Sequence, residues 1–144
     1  MNVLLAEDDE NDVLLMQRAF KKIRIQSRLH IVRDGQEVID YLQGKNCFSD
    51  RSIHPLPSLV ILDLKMPRRT GFEVLEWMKR QVAFKSIPAV VLTASSQHRD
   101  ILRAYELYAN SYLVKPGAFD ELVNMIQETQ HYWLKLNRIA QPGA

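Results

Sequence analysis

"LVILDLKMPRRTG", residues 59 to 71, decides the fold. Four consecutive apolar residues, with β-branched Val60 and Ile61 at their centre, run directly into Asp63, and the chain then breaks at Pro67. So short an apolar run with no polar alternation, closed by a turn signal, reads as a strand covered on both faces. Such strands belong to parallel sheets sandwiched between helices. Asp63 stands where that buried run ends, and a carboxylate there is costly unless something nearby compensates its charge.

Working outward, short β-branched runs alternate with longer stretches of helical period, the pattern of a parallel sheet with crossover helices. Five strand–helix pairs follow one another. Strands are expected at Val3–Ala6, Leu29–Val32, Leu59–Leu62, Ala89–Leu92 and Tyr112–Val114. The first helix shows Leu15, Met16, Ala19, Phe20 and Ile23 on one face, and the second shows Val38, Ile39 and Leu42 after the turn Asp34-Gly35. The third begins near Gly71 and carries Phe72, Leu75, Met78 and Val82. The fourth presents Ile101, Ala104, Tyr105 and Tyr108, and the fifth Phe119, Leu122, Val123, Ile126 and Trp133. Parallel crossovers are right-handed almost without exception, so the expected architecture is a (βα)5 doubly wound, flavodoxin-like α/β fold. Its strand order is expected to be 2-1-3-4-5 by analogy with known sheets of this kind, since the pattern alone does not set it. The one long connection, "GKNCFSDRSIHPLPS" from Gly44 to Ser58, is either an ordered insertion or simple irregularity.

Composition sets the class. The 144 residues, 47% hydrophobic and 25% charged, fit a single soluble domain spanning 1–144, with an extended last helix and tail from about residue 127. The longest apolar runs fall far short of the roughly 20 residues a membrane span needs, and Met1 leads straight into a strand, so the expected location is cytoplasmic with no membrane association. Cys47 is the only cysteine, which excludes an internal disulfide and a cysteine-based metal cluster and leaves a loop thiol without a role. Nineteen basic residues against 17 acidic ones give a formal charge of +2, too balanced to argue for nucleic acid.

In an open α/β sheet the functional crevice lies outside the carboxyl ends of the strands, where the strand order reverses. Strand 1 ends in Glu7-Asp8-Asp9, strand 3 in Asp63, strand 4 in Thr93 and strand 5 in Lys115-Pro116. Carboxylates gathered on such a rim repel one another, so either one holds a proton or a cation neutralises them. An all-oxygen set open to water suits a small hard ion, and Mg²⁺ is typically held by one or two carboxylates together with water and phosphate oxygens. Phosphoryl chemistry follows: Asp63 as a carboxylate nucleophile, Thr93 as a hydrogen-bond partner and Lys115 as a point charge for the phosphoryl oxygens. Singly, each has a structural explanation: Asp9 or Asn11 as a helix cap, Thr93 as a strand former, Lys115 as a solvated base. Together on one rim they favour the chemical reading.

The segments "VLLAEDDEND", "LVILDLKMPRRTG", "PAVVLTAS" and "YLVKPGAFDEL" resemble the receiver domain of two-component response regulators, over essentially residues 2 to 126. The insertion before strand 3, "RAYELYANSYLVKP" and the tail "HYWLKLN" most resemble the small stand-alone regulators that partner bacterial phytochromes. The resemblance implies Asp63 as phosphoacceptor, Asp8 and Asp63 as direct Mg²⁺ ligands, Glu7 acting through water, and the backbone carbonyl of Lys65 completing the protein ligands. The triple acid permits Glu7/Asp8 or Asp8/Asp9, and Glu7/Asp8 is preferred because it follows strand 1 immediately. Thr93 and Lys115 match the hydroxyl and lysine that sense the phosphoryl group, and Tyr112 matches an aromatic that turns inward on activation. The Lys115–Pro116 bond is usually cis in the family, and Lys65 and Ser95 occupy positions that tune phosphoryl lifetime.

Output would pass through protein contacts, since no DNA-binding effector domain is expected after the last helix. Tyr105, Leu107, Tyr108, Met125, Tyr132 and Trp133 supply a helix 4 to helix 5 face, continued by the tail, suited to a homodimer. The implied donor is a sensor histidine kinase, in the narrower resemblance a bacterial phytochrome. The expected protein is therefore a phosphoacceptor rather than an enzyme, with a phosphorelay intermediate as one alternative. A second alternative, an aspartate-nucleophile phosphohydrolase, would need an acid two residues after Asp63, where Lys65 stands. A nucleotide or flavin binder is disfavoured because "AEDDEND" is anionic and lacks glycine.

Overall fold

The computed structural model describes residues 1–24 and 27–140. Five parallel strands, β1 (Asn2–Ala6), β2 (Arg28–Val32), β3 (Leu59–Leu62), β4 (Ala89–Thr93) and β5 (Ser111–Val114), form one sheet in the order β2-β1-β3-β4-β5. Helices α1 (Glu10–Lys22), α2 (Gly35–Gln43), α3 (Gly71–Arg80), α4 (His98–Glu106) and α5 (Phe119–Gln130) alternate with them. The expected (βα)5 fold and strand order are both present.

The period-2 alternation of the strands builds two cores. Leu4, Ala6, Val60, Leu62 and Val91 point to one side and pack with Val38, Leu42, Val74, Leu75 and Met78 from α2 and α3. Val3, Leu5, Leu59, Ile61, Val90 and Leu92 point to the other, where α1 and α5 contribute Met16, Ala19, Leu122 and Ile126. Every residue of β3 and β4 is buried, which is why these strands carry no polar alternation.

Local chemistry sets the helix ends. The Asp9 side chain accepts the Asp12 N–H at the start of α1, Asp34 accepts the Glu37 N–H at α2, and Thr70 with Glu73 closes a reciprocal capping box at α3. Gly44 ends α2 in the left-handed conformation at φ 68°, a position that favours glycine.

The 44–58 connection is an ordered insertion. It holds a short 3-10 turn at Asn46–Phe48, and the Arg51 guanidinium donates to the carbonyls of Tyr41 at 2.8 Å, Leu42 at 2.6 Å and His54 at 3.1 Å. The bonds to Tyr41 and Leu42 reach carbonyls in the last turn of α2, and the bond to His54 ties the insertion to the same guanidinium. Tyr41, buried under the insertion, donates its phenol to the Pro55 carbonyl at 2.9 Å.

Three helical-face expectations need correction. Helix α3 stops at Arg80, so Val82 lies beyond it and is exposed, while Phe84 stacks on Trp77 instead. Tyr105 and Tyr108 are both exposed; Ala104 alone is buried on α4, and Tyr108 sits past its end at φ 66°. The last helix continues past Gln130 as a π-helical segment, His131–Leu136, whose wider turn buries Leu134 and lays Trp133 against the α1–α5 core. No helix among the described residues is long and apolar enough to cross a membrane.

Candidate functional site

The strand ladder holds Glu7, Asp63 and Lys115 one residue beyond β1, β3 and β5. The Glu7 N–H donates to the Val32 carbonyl at 3.0 Å, the Asp63 N–H to Ala6 at 3.1 Å, and the Lys115 N–H to Thr93 at 2.8 Å. Parallel pairing thus fixes three site backbones to neighbouring strands, and the side chains emerge together on the carboxyl rim. Gly71 keeps the β3–α3 loop close behind Asp63: its N–H donates to the Leu64 carbonyl at 2.9 Å, and a Cβ there would lie 2.3 Å from the Asp63 carbonyl oxygen.

Glu7, Asp8 and Asp63 each bring a carboxylate oxygen within 4.8 Å of the others. Glu7 and Asp63 are buried and Asp8 is exposed, so the trio opens to solvent on one side. Asp9 is turned to the helix N-terminus as its cap and stands apart from the trio. All-oxygen donors with a water-accessible face fit a hard divalent cation.

Lys115 partly neutralises this charge. Its Nζ reaches Glu7 Oε1 at 2.5 Å, Asp12 Oδ2 at 2.8 Å and Asp63 Oδ2 at 2.9 Å. Burial alone would lower the lysine pKa, but the bonds to Asp12, Glu7 and Asp63 outweigh it and hold the ammonium above the ordinary lysine range. Glu7 moves upward from its ordinary value to about 7, chiefly through burial, with repulsion from Asp63 adding and the bond to Lys115 opposing.

Thr93 is buried at the end of β4, and its hydroxyl accepts the Ser95 N–H at 3.5 Å. Ser95 donates its hydroxyl to Asp100 Oδ2 at 2.6 Å, and its carbonyl accepts the Tyr112 phenol at 2.8 Å. An open depression lined by Asp63, Lys65, Thr93, Ser95 and Arg99 leads to the carboxylates. Lys65 approaches Asp63 through its backbone N–H, 3.3 Å from Oδ1, and its side chain is exposed. The Lys115–Pro116 bond is trans, in contrast to the cis form expected; trans is the form X–Pro bonds favour by about 0.5–1 kcal/mol.

Asp12 is the site residue that the sequence reading missed. At the third position of α1 it looked like an ordinary first-turn acid, placed there to suit the helix dipole. Its spacing from Asp8 gives no hint that it meets a lysine 103 residues away.

Residues 3–127 match the model of the response regulator receiver domain. The chain is 39% identical over 141 residues to the probable methanogenesis regulatory protein FilR2 of Methanothrix harundinacea, covering 98% of this chain and 88% of that protein. It is 37% identical over 133 residues to response regulator Rcp1 of Synechocystis, covering 92% and 88% respectively. The Mn²⁺-bound form of Rcp1 superposes with a TM-score of 0.84, covering 96% of this chain and 98% of that one at 35% identity. The phosphorylated cyanobacterial phytochrome response regulator RcpA superposes with a TM-score of 0.88, covering 97% and 98% at 30% identity.

Proposed function

Because the chain belongs to the response regulator receiver family, we propose that Asp63 is its phosphoacceptor and that the donor is the phosphohistidine of a sensor kinase. The observation carrying this is the rim itself: buried Asp63 stands at a strand end with two further carboxylates beside it and an ammonium 2.9 Å from its Oδ2. In the transfer an Asp63 oxygen attacks phosphorus, the P–N bond to the donor imidazole breaks, and the imidazole nitrogen keeps the electron pair and takes a proton from solvent.

Glu7, Asp8 and Asp63, with the Lys65 carbonyl, would hold Mg²⁺, which when bound offsets the negative charge on the phosphoryl oxygens and the rim. The Mn²⁺-bound Rcp1 structure supports a divalent ion here. Lys115 supplies a fixed positive charge to one phosphoryl oxygen, and Thr93 supplies a hydroxyl donor to another. Lys65, two residues after Asp63, offers no carboxylic acid to protonate a leaving group, which favours a phosphoacceptor over a phosphohydrolase.

Output runs through protein contacts. The Tyr112–Ser95–Asp100 hydrogen bonds join β5 and the β4–α4 loop to α4, so movement of Thr93 toward a phosphoryl group is felt along the α4–β5–α5 face. Leu102, Tyr105, Tyr108, Val114, Tyr132 and Leu136 are exposed on α4, β5 and the segments that follow α4 and α5, and we assign them to a homodimer contact. The likeness to the cyanobacterial phytochrome response regulator RcpA supports a phytochrome as the kinase. Membership of the receiver family fits a cytoplasmic setting, and the nearly balanced charge of +2 gives no electrostatic basis for a nucleic-acid partner.

Intact-mass measurement after incubation with acetyl phosphate tests the assignment. The wild type is expected to gain one phosphoryl group in a Mg²⁺-dependent way and Asp63→Asn to gain none. Modification that persists in the mutant sinks the assignment.

A further inference from the structure

We propose that Asp12 is a positioning residue: from the first turn of α1 it anchors the Lys115 ammonium beside Asp63 throughout the phosphorylation cycle. This rests on the phosphoacceptor reading of Asp63. An ammonium carries three N–H donors, and here they meet three carboxylates, Glu7, Asp12 and Asp63.

Two of the three have other work at this site. Glu7 and Asp63 belong to the converging trio that fits a cation, and Asp63 loses carboxylate charge when an oxygen bonds phosphorus. Asp12 stands outside that trio. It therefore remains an anionic partner for Lys115 when Glu7 and Asp63 are engaged elsewhere, leaving one N–H held and the others free to turn to a phosphoryl oxygen.

Its placement suits that role. Asp12 is on α1 and Lys115 follows the edge strand β5, so the pair ties the helix after β1 to the end of a strand that β3 and β4 separate from β1 in the sheet. The Asp12 backbone N–H is bonded to the Asp9 side chain at 3.0 Å, which fixes its main chain independently of its carboxylate. In a reciprocal capping box the third helical residue reaches back to the cap; Asp12 gives its carboxylate to Lys115 instead. Without this anchor the lysine, on four flexible methylenes, would pair with whichever rim carboxylate was free.

The test uses the full chain with Asp12→Asn, Lys115→Ala and the double variant. Asp12→Asn has nearly the same shape and leaves the backbone cap bond intact. In metal-free protein, the ¹⁵N-detected ammonium resonance of Lys115 is expected in the wild type and expected to broaden through solvent exchange in Asp12→Asn. With saturating Mg²⁺ and acetyl phosphate, Asp12→Asn is expected to slow phosphorylation about fivefold. In the Lys115→Ala background the same substitution is expected to change nothing, because Asp12 acts through the lysine. An unchanged ammonium resonance, or an equal slowing with and without Lys115, overturns the proposal. Failure of the phosphoacceptor reading shows separately, as a wild type that gains no phosphoryl mass while the metal-free resonance still reports on Asp12.

Discussion

The Tyr112 phenol donates to the Ser95 carbonyl oxygen at 2.8 Å, tying β5 to the loop that follows β4. Tyr112 is only part-buried, and its ring packs against the α2–α3 side of the core. The bond closes a short path from the rim outward: Thr93 accepts the Ser95 N–H, and Ser95 grips Asp100 on α4.

Tyr112→Phe keeps the ring and deletes the donor. Loss of one such bond to a backbone carbonyl is expected to cost about 1 kcal/mol in urea denaturation. Amide hydrogen exchange around Ser95 is expected to quicken, because that segment loses its tie to β5. An unchanged denaturation midpoint together with unchanged exchange would show that the bond contributes nothing.

Gly71→Ala should damage stability and phosphorylation together. The added methyl would sit 2.3 Å from the Asp63 carbonyl oxygen and 2.9 Å from the Leu64 Cα, and both are backbone atoms that cannot swing aside. Overpacking of this kind costs about 1–3 kcal/mol and is expected to displace the loop that follows Asp63. Thermal denaturation and the rate of phosphoryl incorporation measure the two effects; a variant matching the wild type in both refutes the close approach.

Glu7 gives a pH dependence of defined sign. Its carboxyl titrates near 7 when folded, against an ordinary value of 4.5, chiefly because of burial. Between those values the folded chain holds a proton that the unfolded chain has released, so metal-free stability falls as pH rises through that window. Denaturation with a chelator present, at about pH 5 and about pH 8, is expected to show this fall in the wild type and a smaller one in Glu7→Gln. An equal fall in both assigns the dependence to other groups.

Much of this was legible in residue order alone. The unbroken apolar runs at Leu59–Leu62 and Ala89–Leu92 predicted strands covered on both faces, because a strand buried twice leaves no position for polar alternation. Glu7, Asp63, Thr93 and Lys115 could be placed at one rim because parallel strands all point their carboxyl ends the same way. Tyr108 after α4 and Val82 after α3 were misplaced for a common reason: the apolar period continues past the residue where each helix ends. Tyr105 lies within α4 but on its exposed side, which the period alone does not separate from Ala104.

The sequence by itself determined the five alternating strands and helices and which strand ends would carry the chemistry, since the first follows from hydrophobic period and the second from parallel strands that all present their carboxyl ends on one rim. Only the tertiary structure decided how the acids divide their roles. Asp9 turns to its helix and Asp8 joins Glu7 and Asp63, while Asp12 reaches across to Lys115. That division depends on side-chain direction and on distances between residues far apart in the chain, and local spacing encodes neither.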